Sequence, residues 1–397
     1  MNFLRKRRSS EDDDDDDDIL NNDPTSAIHK SRKPPNTAFR QQRLKAWQPI
    51  LTPKSVIPLL ILLAIIFTPL GIAIIYTTYN VQEVNVNYSK CDTEATDTFQ
   101  NIPKKYIGYH QKSNPNFKWR LENNDTCIIQ FDISGNWKPP IFLYYKLTNF
   151  YQNHRKYVES YDLDQLRGQA LSSDDTTDNC KPLKHRTYKG EQKLIYPCGL
   201  IANSYFNDTI SDPVLLNARN GDNNETYAFS YEGISWPSDR NHKFQKTQYK
   251  PDEVVPPPNW DAMFPDGYTE DNMPDLQTWE HLQNWMRTAA LPSFYKLYGQ
   301  NKSATLQEGT YQINVGLNYP VEIFGGTKSL VITTNSIFGG RNMSLGVIYV
   351  IVAVVALVLG IAFLLQYLIK PRKLGDHNYL QDGAGGGGDV TNYREQL

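Results

Sequence analysis

Cysteine is scarce in this chain: four among 397 residues, Cys91, Cys127, Cys180 and Cys198, and no Cys-x-x-Cys pair. That spacing excludes a thiol-exchange motif. The seven histidines fall without the i, i+4 pairing or the cysteine neighbours that a zinc site needs. No Gly-x-Ser-x-Gly nucleophile elbow is present,. The run Gly325-Gly326-Thr327-Lys328-Ser329 lacks the spacing of a phosphate loop and reads as a turn ahead of a strand,. Carboxylate pairs such as Asp174-Asp175 sit in polar loops, where solvation explains them. Enzymatic chemistry is therefore disfavoured, and the residues name no catalytic, cofactor or metal site.

Charge is missing from two long stretches. Residues 56–76 and 345–369 contain no Asp, Glu, Lys or Arg, and each exceeds the roughly 20 apolar residues that cross a bilayer. A long tail precedes the first stretch, which fits an uncleaved signal anchor and not a cleaved signal peptide. Acidic residues are absent again between Lys30 and Lys54, where Lys30, Arg32, Lys33, Arg40, Arg43, Lys45 and Lys54 stand. Lys370, Arg372 and Lys373 follow the second stretch. Positive charge resists translocation, so both tails are expected in the cytosol and the intervening segment in the lumen or outside the cell. All the cysteines lie in that segment, where disulfides persist. So does every Asn-x-Ser/Thr sequon: Asn87, Asn124, Asn207, Asn224, Asn301 and Asn342,. Asn87 and Asn342 lie close to the membrane, which leaves Asn124, Asn207, Asn224 and Asn301 as the expected glycosylation sites.

The expected organisation is a cytosolic, largely disordered tail (1–54), a transmembrane helix (55–79), a glycosylated, disulfide-bonded ectodomain (80–344), a second transmembrane helix (345–369) and a cytosolic tail (370–397). The run of like charge at 11–18 cannot bury itself, and Ser9 and Ser10 beside it are candidates for modification. Within the ectodomain, 127–133, 141–147, 310–319 and 329–334 are β-branched and aromatic runs that read as strands,. Leu276, Trp279, Leu282 and Met286 recur at helical spacing between Pro274-Asp275 and Pro292, which predicts one helix there,. The fold class is a two-span α-helical membrane protein with a mainly β, antiparallel β-sandwich-like ectodomain. Several disulfide pairings are open. We expect Cys91–Cys127 and Cys180–Cys198, because neighbours in sequence emerge together during translocation and close short loops early.

A two-span ligand-gated channel or a cell-surface receptor subunit has the same plan. A pore, however, needs polar or small residues along one helix face. The first stretch offers Thr68 and, at its end, Thr77 and Thr78; the second offers Gln366, also at its end. Pro58, Pro69 and Gly71 in the first stretch predict kinks that neighbouring helices must accommodate. Ala356-x-x-x-Gly360 in the second allows a helix to approach closely. A chain with no site of its own and helices built to pack reads as a subunit.

Several blocks resemble the family named after cell division control protein 50. They are KPPNTAFRQQRLKAWQPI (33–50), YYKLTNFYQNHRKYV (144–158), YPCGLIANSYFNDT (196–209), WMRTAALPSFYKLY (285–298), FGGTKSLVITT (324–334) and GGRNMSLG (339–346). Members of that family are accessory β-subunits of type IV P-type ATPases, which flip phospholipids, and the blocks look most like the fungal branch. The resemblance implies a non-catalytic subunit, without cofactor or nucleic-acid partner, that forms a heterodimer with the ATPase among membrane lipids. It implies that the subunit lets the ATPase leave the endoplasmic reticulum for Golgi, endosome or plasma membrane and supports its transport cycle. The absence of a DKTG sequence agrees, since phosphorylation would belong to the partner. In the family the cytosolic segment before the first span touches the ATPase, which places partner contacts at Phe39, Arg40, Arg43 and Trp47. The bland alternatives are a topology signal and lipid anchor for those charges, and ectodomain core for 149–157 and 285–290.

The sequons give a direct test. Endoglycosidase treatment should collapse several electrophoretic bands into one, and Asn207→Gln should migrate faster than the parent. Unchanged migration of that variant would show the site unused.

Overall fold

The computed structural model describes residues 37–44, 51–216, 225–335 and 339–370. The chain divides into two units, Met1–Thr52 and Pro53–Leu397. In the first, a tight turn runs from Thr37. The amide of Gln41 donates to the Thr37 carbonyl at 2.9 Å and that of Arg43 to the Ala38 carbonyl at 2.7 Å. Gln42 holds a left-handed φ of 55°.

The second unit begins and ends with helices, Pro53–Tyr79 and Ser344–Ile369, both long and apolar enough to cross a membrane. The first continues through Pro58 and Pro69. It buries Ile57, Ala64, Gly71, Ile74 and Thr78, and the second buries Gly346, Ala353, Ala356 and Gly360. Both sets follow heptad-like spacing, the seam of two helices packed side by side. The helices run antiparallel: Gly71 faces Gly346 near one end, and Gly360 faces Leu60 and Ile61 towards the other. A Cβ on Gly71 would lie 2.8 Å from Val350 Cγ2 and 3.1 Å from the Gly346 carbonyl oxygen. One on Gly346 would lie 2.7 Å from Ile75 Cγ1 and 3.1 Å from the Gly71 carbonyl oxygen. Phe67 and Tyr349 meet edge to face, their ring centroids 5.1 Å apart. The small residues expected to receive a partner's helix are thus used within the chain: Ala356 and Gly360 lie on the face packed against the first helix.

Between the helices lies a β domain. Its five-stranded sheet has the order Phe294–Asn301, Ile141–Leu147, Lys328–Thr334, Glu83–Asn87, Ile107–His110, every pair antiparallel. A second sheet has the order Glu225–Thr226, Val214–Leu215, Gly309–Gly316, Thr126–Ile133, Phe117–Glu122, Gln100–Asn101, with Thr209–Ile210 also paired to Gly309–Gly316. A small third sheet joins His185–Tyr188, Glu191–Ile195 and Val254–Val255. Alternation explains the two large sheets. Ile141, Leu143, Tyr145 and Leu147 point inward from one; Ile129, Phe131, Ile313 and Val315 point inward from the other. These side chains share one core, the arrangement of a β-sandwich.

Two disulfides tie the loops to it. Cys91 is bonded to Cys127 and Cys180 to Cys198, with Cα atoms 6.0 and 5.5 Å apart. The helix expected between Pro274 and Pro292 is shorter, Glu280–Met286. Asp275 instead organises a separate turn, its carboxylate accepting from the Gln277 amide at 2.9 Å. Trp279, with ψ 73°, interrupts the helical path. Leu276, Leu282 and Met286 are still buried, so the helical spacing reported inward-facing positions but not one continuous helix.

The glycine contact yields a prediction. A Phe67→Cys/Tyr349→Cys pair should cross-link efficiently in detergent. Adding Gly346→Leu, which overpacks the contact at a cost of about 1–3 kcal/mol, should reduce cross-linking several-fold. Undiminished cross-linking would contradict this packing.

Candidate partner interface

Four of the ectodomain blocks converge in space. Trp285 donates its indole N–H to the Ile201 carbonyl at 2.8 Å, and Trp260 donates to the Ala202 carbonyl at 2.8 Å. Both carbonyls belong to the last turn of the short helix Leu200–Asn203, where unpaired oxygens need donors. Tyr145 stacks on Phe206 with centroids 3.9 Å apart. Phe150 lies 5.6 Å from Trp285 and 5.2 Å from Phe324, centroid to centroid. The side chain of Gln152 accepts from the Ala289 amide at 2.8 Å. These residues are core. What the same blocks leave on the surface is a smaller set of large apolar side chains: Tyr151, Val158, Leu291 and Tyr295 are 57, 38, 67 and 49% exposed, and Ile323, just before the last block, is 83% exposed.

Charged residues are buried among them. Lys328 Nζ lies 2.8 Å from Asp208 Oδ2 and 3.1 Å from Oδ1, and it donates to the Tyr319 carbonyl at 2.8 Å. Asp208 also accepts from the amides of Asn318 and Tyr319, at 2.7 and 2.6 Å, and from the Tyr88 hydroxyl at 3.0 Å. Burial pushes its carboxyl up, while Lys328, the Tyr319 amide and the Tyr88 hydroxyl pull it back.

Lys296 donates to the carbonyls of Asn284, Trp285 and Arg287, at the end of Glu280–Met286 where a cation is favoured. Burial, then the Arg287 charge, push its amine down to about 7. Glu280, at the start of that helix, accepts from the amides of Gly233 and Ser235, the Ser235 hydroxyl and Arg240. Its burial favours protonation, yet these donors leave the carboxyl below its usual range. His281 packs tilted against Tyr298 with centroids 4.6 Å apart and planes at 41°, and burial pushes it down to about 4 although Glu280 acts in the opposite sense. None of these charged groups was legible as a site in the sequence. One signal was present: Lys296 stands alone within Phe294-Tyr295-Lys296-Leu297-Tyr298, whereas Lys328 opens its strand between Thr327 and Ser329. Among the described residues no group of His, Cys, Asp and Glu forms a metal cluster.

The model of the LEM3 (ligand-effect modulator 3)/CDC50 family matches residues 74–373. The chain belongs to this family. It is 50% identical over 359 residues to phospholipid-transporting ATPase accessory subunit CRF1 of Saccharomyces cerevisiae, covering 88% of this chain and 89% of that protein. It is 41% identical over 380 residues to phospholipid-transporting ATPase accessory subunit CDC50 of Chaetomium thermophilum, covering 89% and 93%. It is 35% identical over 357 residues to cell cycle control protein 50A of Bos taurus, covering 86% and 91%. None of the three is named as an enzyme, a channel or a receptor, and the family is one of accessory subunits.

The positions expected from sequence to serve this CDC50-family chain are scattered. Phe39 is 75% exposed, and Arg40 and Arg43 share its turn; Trp47 lies outside the described residues. Asn124 is exposed in the turn between Phe117–Glu122 and Thr126–Ile133, with a left-handed φ of 62°. Asn207 is half-buried, its Oδ1 enclosed without a partner. Asn301 ends the strand Phe294–Asn301, donates to the Ala228 carbonyl at 2.8 Å and accepts from the Ser303 amide at 3.1 Å. Asn224 lies outside the described residues.

His281 generates a pH prediction. The unfolded chain protonates it near the ordinary value of about 6.5, whereas the folded chain holds it neutral down to about 4. Between those values the unfolded state binds more protons, so stability falls as pH drops through the window. Up to about 3 kcal/mol is at stake. Thermal midpoints measured at pH 7 and pH 4.5 should differ less in His281→Gln than in the parent; equal differences would contradict this burial.

Proposed function

We propose that this chain is the non-catalytic accessory subunit of a type IV P-type ATPase that translocates phospholipids. The observation that carries the reading is 50% identity across 88% of the chain to a protein named as such a subunit. ATP hydrolysis and the phosphorylated aspartate belong to the partner. The subunit lets the ATPase leave the endoplasmic reticulum and supports its transport cycle at Golgi, endosome or plasma membrane, and so maintains phospholipid asymmetry and vesicle traffic.

Basic flanks on both apolar helices support a cytosolic location for 1–54 and 370–397. Cysteines and sequons confined to 80–344 support a luminal or extracellular ectodomain, glycosylated at Asn124, Asn207, Asn224 and Asn301. Phe39, Arg40, Arg43 and Trp47 contact the ATPase from the cytosolic side. The exposure of Phe39 supports that role, because a large aromatic in solvent gains by burial at an interface.

Purification of the tagged chain in mild detergent, followed by identification of co-purifying membrane proteins, tests the reading. A stoichiometric P-type ATPase is the expected result. Arg40→Ala/Arg43→Ala should lower its yield about tenfold or more if those guanidinium groups are buried against carboxylates, while both disulfides remain intact. Recovery of the chain alone as a homo-oligomer would refute it.

A further inference from the structure

At the membrane end of the five-stranded sheet is a cavity of about 480 Å³, lined by Glu83, Tyr144, Tyr295, Thr333 and Arg341 among others. Its position follows from the chain. Glu83 begins the first strand, four residues after the helix that ends at Tyr79, and Arg341 precedes the helix that begins at Ser344. Three residues of chain span about 10 Å at most, so Arg341 stands within reach of the polar layer of a bilayer crossed by that helix. The cavity lies on the outer side of the sheet, because Val84 and Val86 turn into the core and Glu83 alternates away from them,.

The lining is chemically mixed. Glu83 has neither a hydrogen bond nor an ion pair from its carboxylate to any described residue, yet burial pushes its carboxyl up, against the nearby charges of Arg341, Lys146 and His110. A half-buried carboxylate without a donor is costly unless a ligand supplies one. Tyr144 and Tyr295 stand beside it edge to face, centroids 6.4 Å apart and planes at 86°. Lys146 Nζ lies 5.2 Å from the centre of the Tyr295 ring, so that ring already accepts a cation on its face. A carboxylate with aromatic faces is the chemistry that holds an organic ammonium. Arg341 in the lining, and Lys146 next to it at the Tyr295 ring, supply the chemistry that holds a phosphodiester,.

We propose that this cavity cradles the headgroup of a phospholipid that carries an ammonium group, from the leaflet on the ectodomain side. Glu83 and the tyrosine rings receive the ammonium, and Arg341 and Lys146 receive the phosphate. The assignment requires that the two helices cross a bilayer; it does not depend on which protein the chain assembles with.

The test uses the full chain in nanodiscs that contain one photoactivatable lipid at a time, with phosphatidylethanolamine, phosphatidylcholine or phosphatidylglycerol headgroups on identical acyl chains. Labelled peptides are mapped by mass spectrometry. The two ammonium lipids should label the peptides carrying Tyr144 or Tyr295 about fivefold more than phosphatidylglycerol. Glu83→Gln should erase that preference at unchanged thermal midpoint, and Tyr295→Leu should weaken it. Arg341→Gln should lower labelling by all three lipids. Soluble glycerophosphocholine should compete, and inorganic phosphate alone should not. Equal labelling by the three lipids, or a preference that survives Glu83→Gln, would overturn the assignment. So would a cross-link from this cavity to a protein loop that excludes lipid when the partner subunit is present.

Discussion

The ectodomain turns on one buried ion pair. Lys328 and Asp208 have side chains 6% and 0% exposed, and their meeting fixes four segments at once. Asp208 needs the amides of Asn318 and Tyr319 and the hydroxyl of Tyr88; Lys328 needs the Tyr319 carbonyl as well. A buried pair adds little net stability over apolar residues of similar volume, but losing one partner strands a charge in the core at about 3–5 kcal/mol. The pair therefore selects one arrangement of the loops more than it strengthens the fold. The aromatic cluster of Phe150, Phe206, Trp285 and Phe324 packs around the same segments, and burial of that area supplies the driving force. The ectodomain blocks that carry the family resemblance are dense in these residues because they build the platform, and of their large apolar side chains Tyr151, Val158, Leu291 and Tyr295 reach its surface, with Ile323 beside them.

The helices obey a second constraint. Gly71 and Gly346 let the two backbones approach closely, the close packing by which helices in lipid are commonly held together. Their outer faces are apolar, with residues such as Leu62, Ile66, Val355 and Leu359 exposed. A chain whose small residues are engaged with each other offers a partner only these outer faces within the bilayer. Under the proposed function, discrimination between partners then falls to the ectodomain and to the segment that carries Phe39 and Arg40.

Parts of this were legible in the sequence for identifiable reasons. The two helices announce themselves because charge is absent from 56–76 and 345–369. Ile141–Leu147 is legible because its inward residues alternate. Phe294–Asn301 is not, because Lys296 occupies an inward position and a register shift falls between Leu297 and Gly299. The helix at Glu280–Met286 was overextended because Leu276 is buried on a turn that happens to continue the helical spacing. Contacts such as Lys328–Asp208, 120 residues apart, leave no trace in local pattern. The channel alternative faded on a similar physical ground, since no continuous polar face appears on either helix. A subunit without an active site was legible in the residues, but its role beside a flippase was legible only through resemblance, for an absent active site looks the same in many kinds of subunit.

The central claim is that a phospholipid-transporting ATPase depends on this chain. Reconstituting the co-purified ATPase into vesicles with and without the chain, and measuring ATP-driven movement of labelled phospholipid between leaflets, tests it most directly. Transport should require the chain and return when it is added back before reconstitution. Equal transport in both preparations would contradict the account.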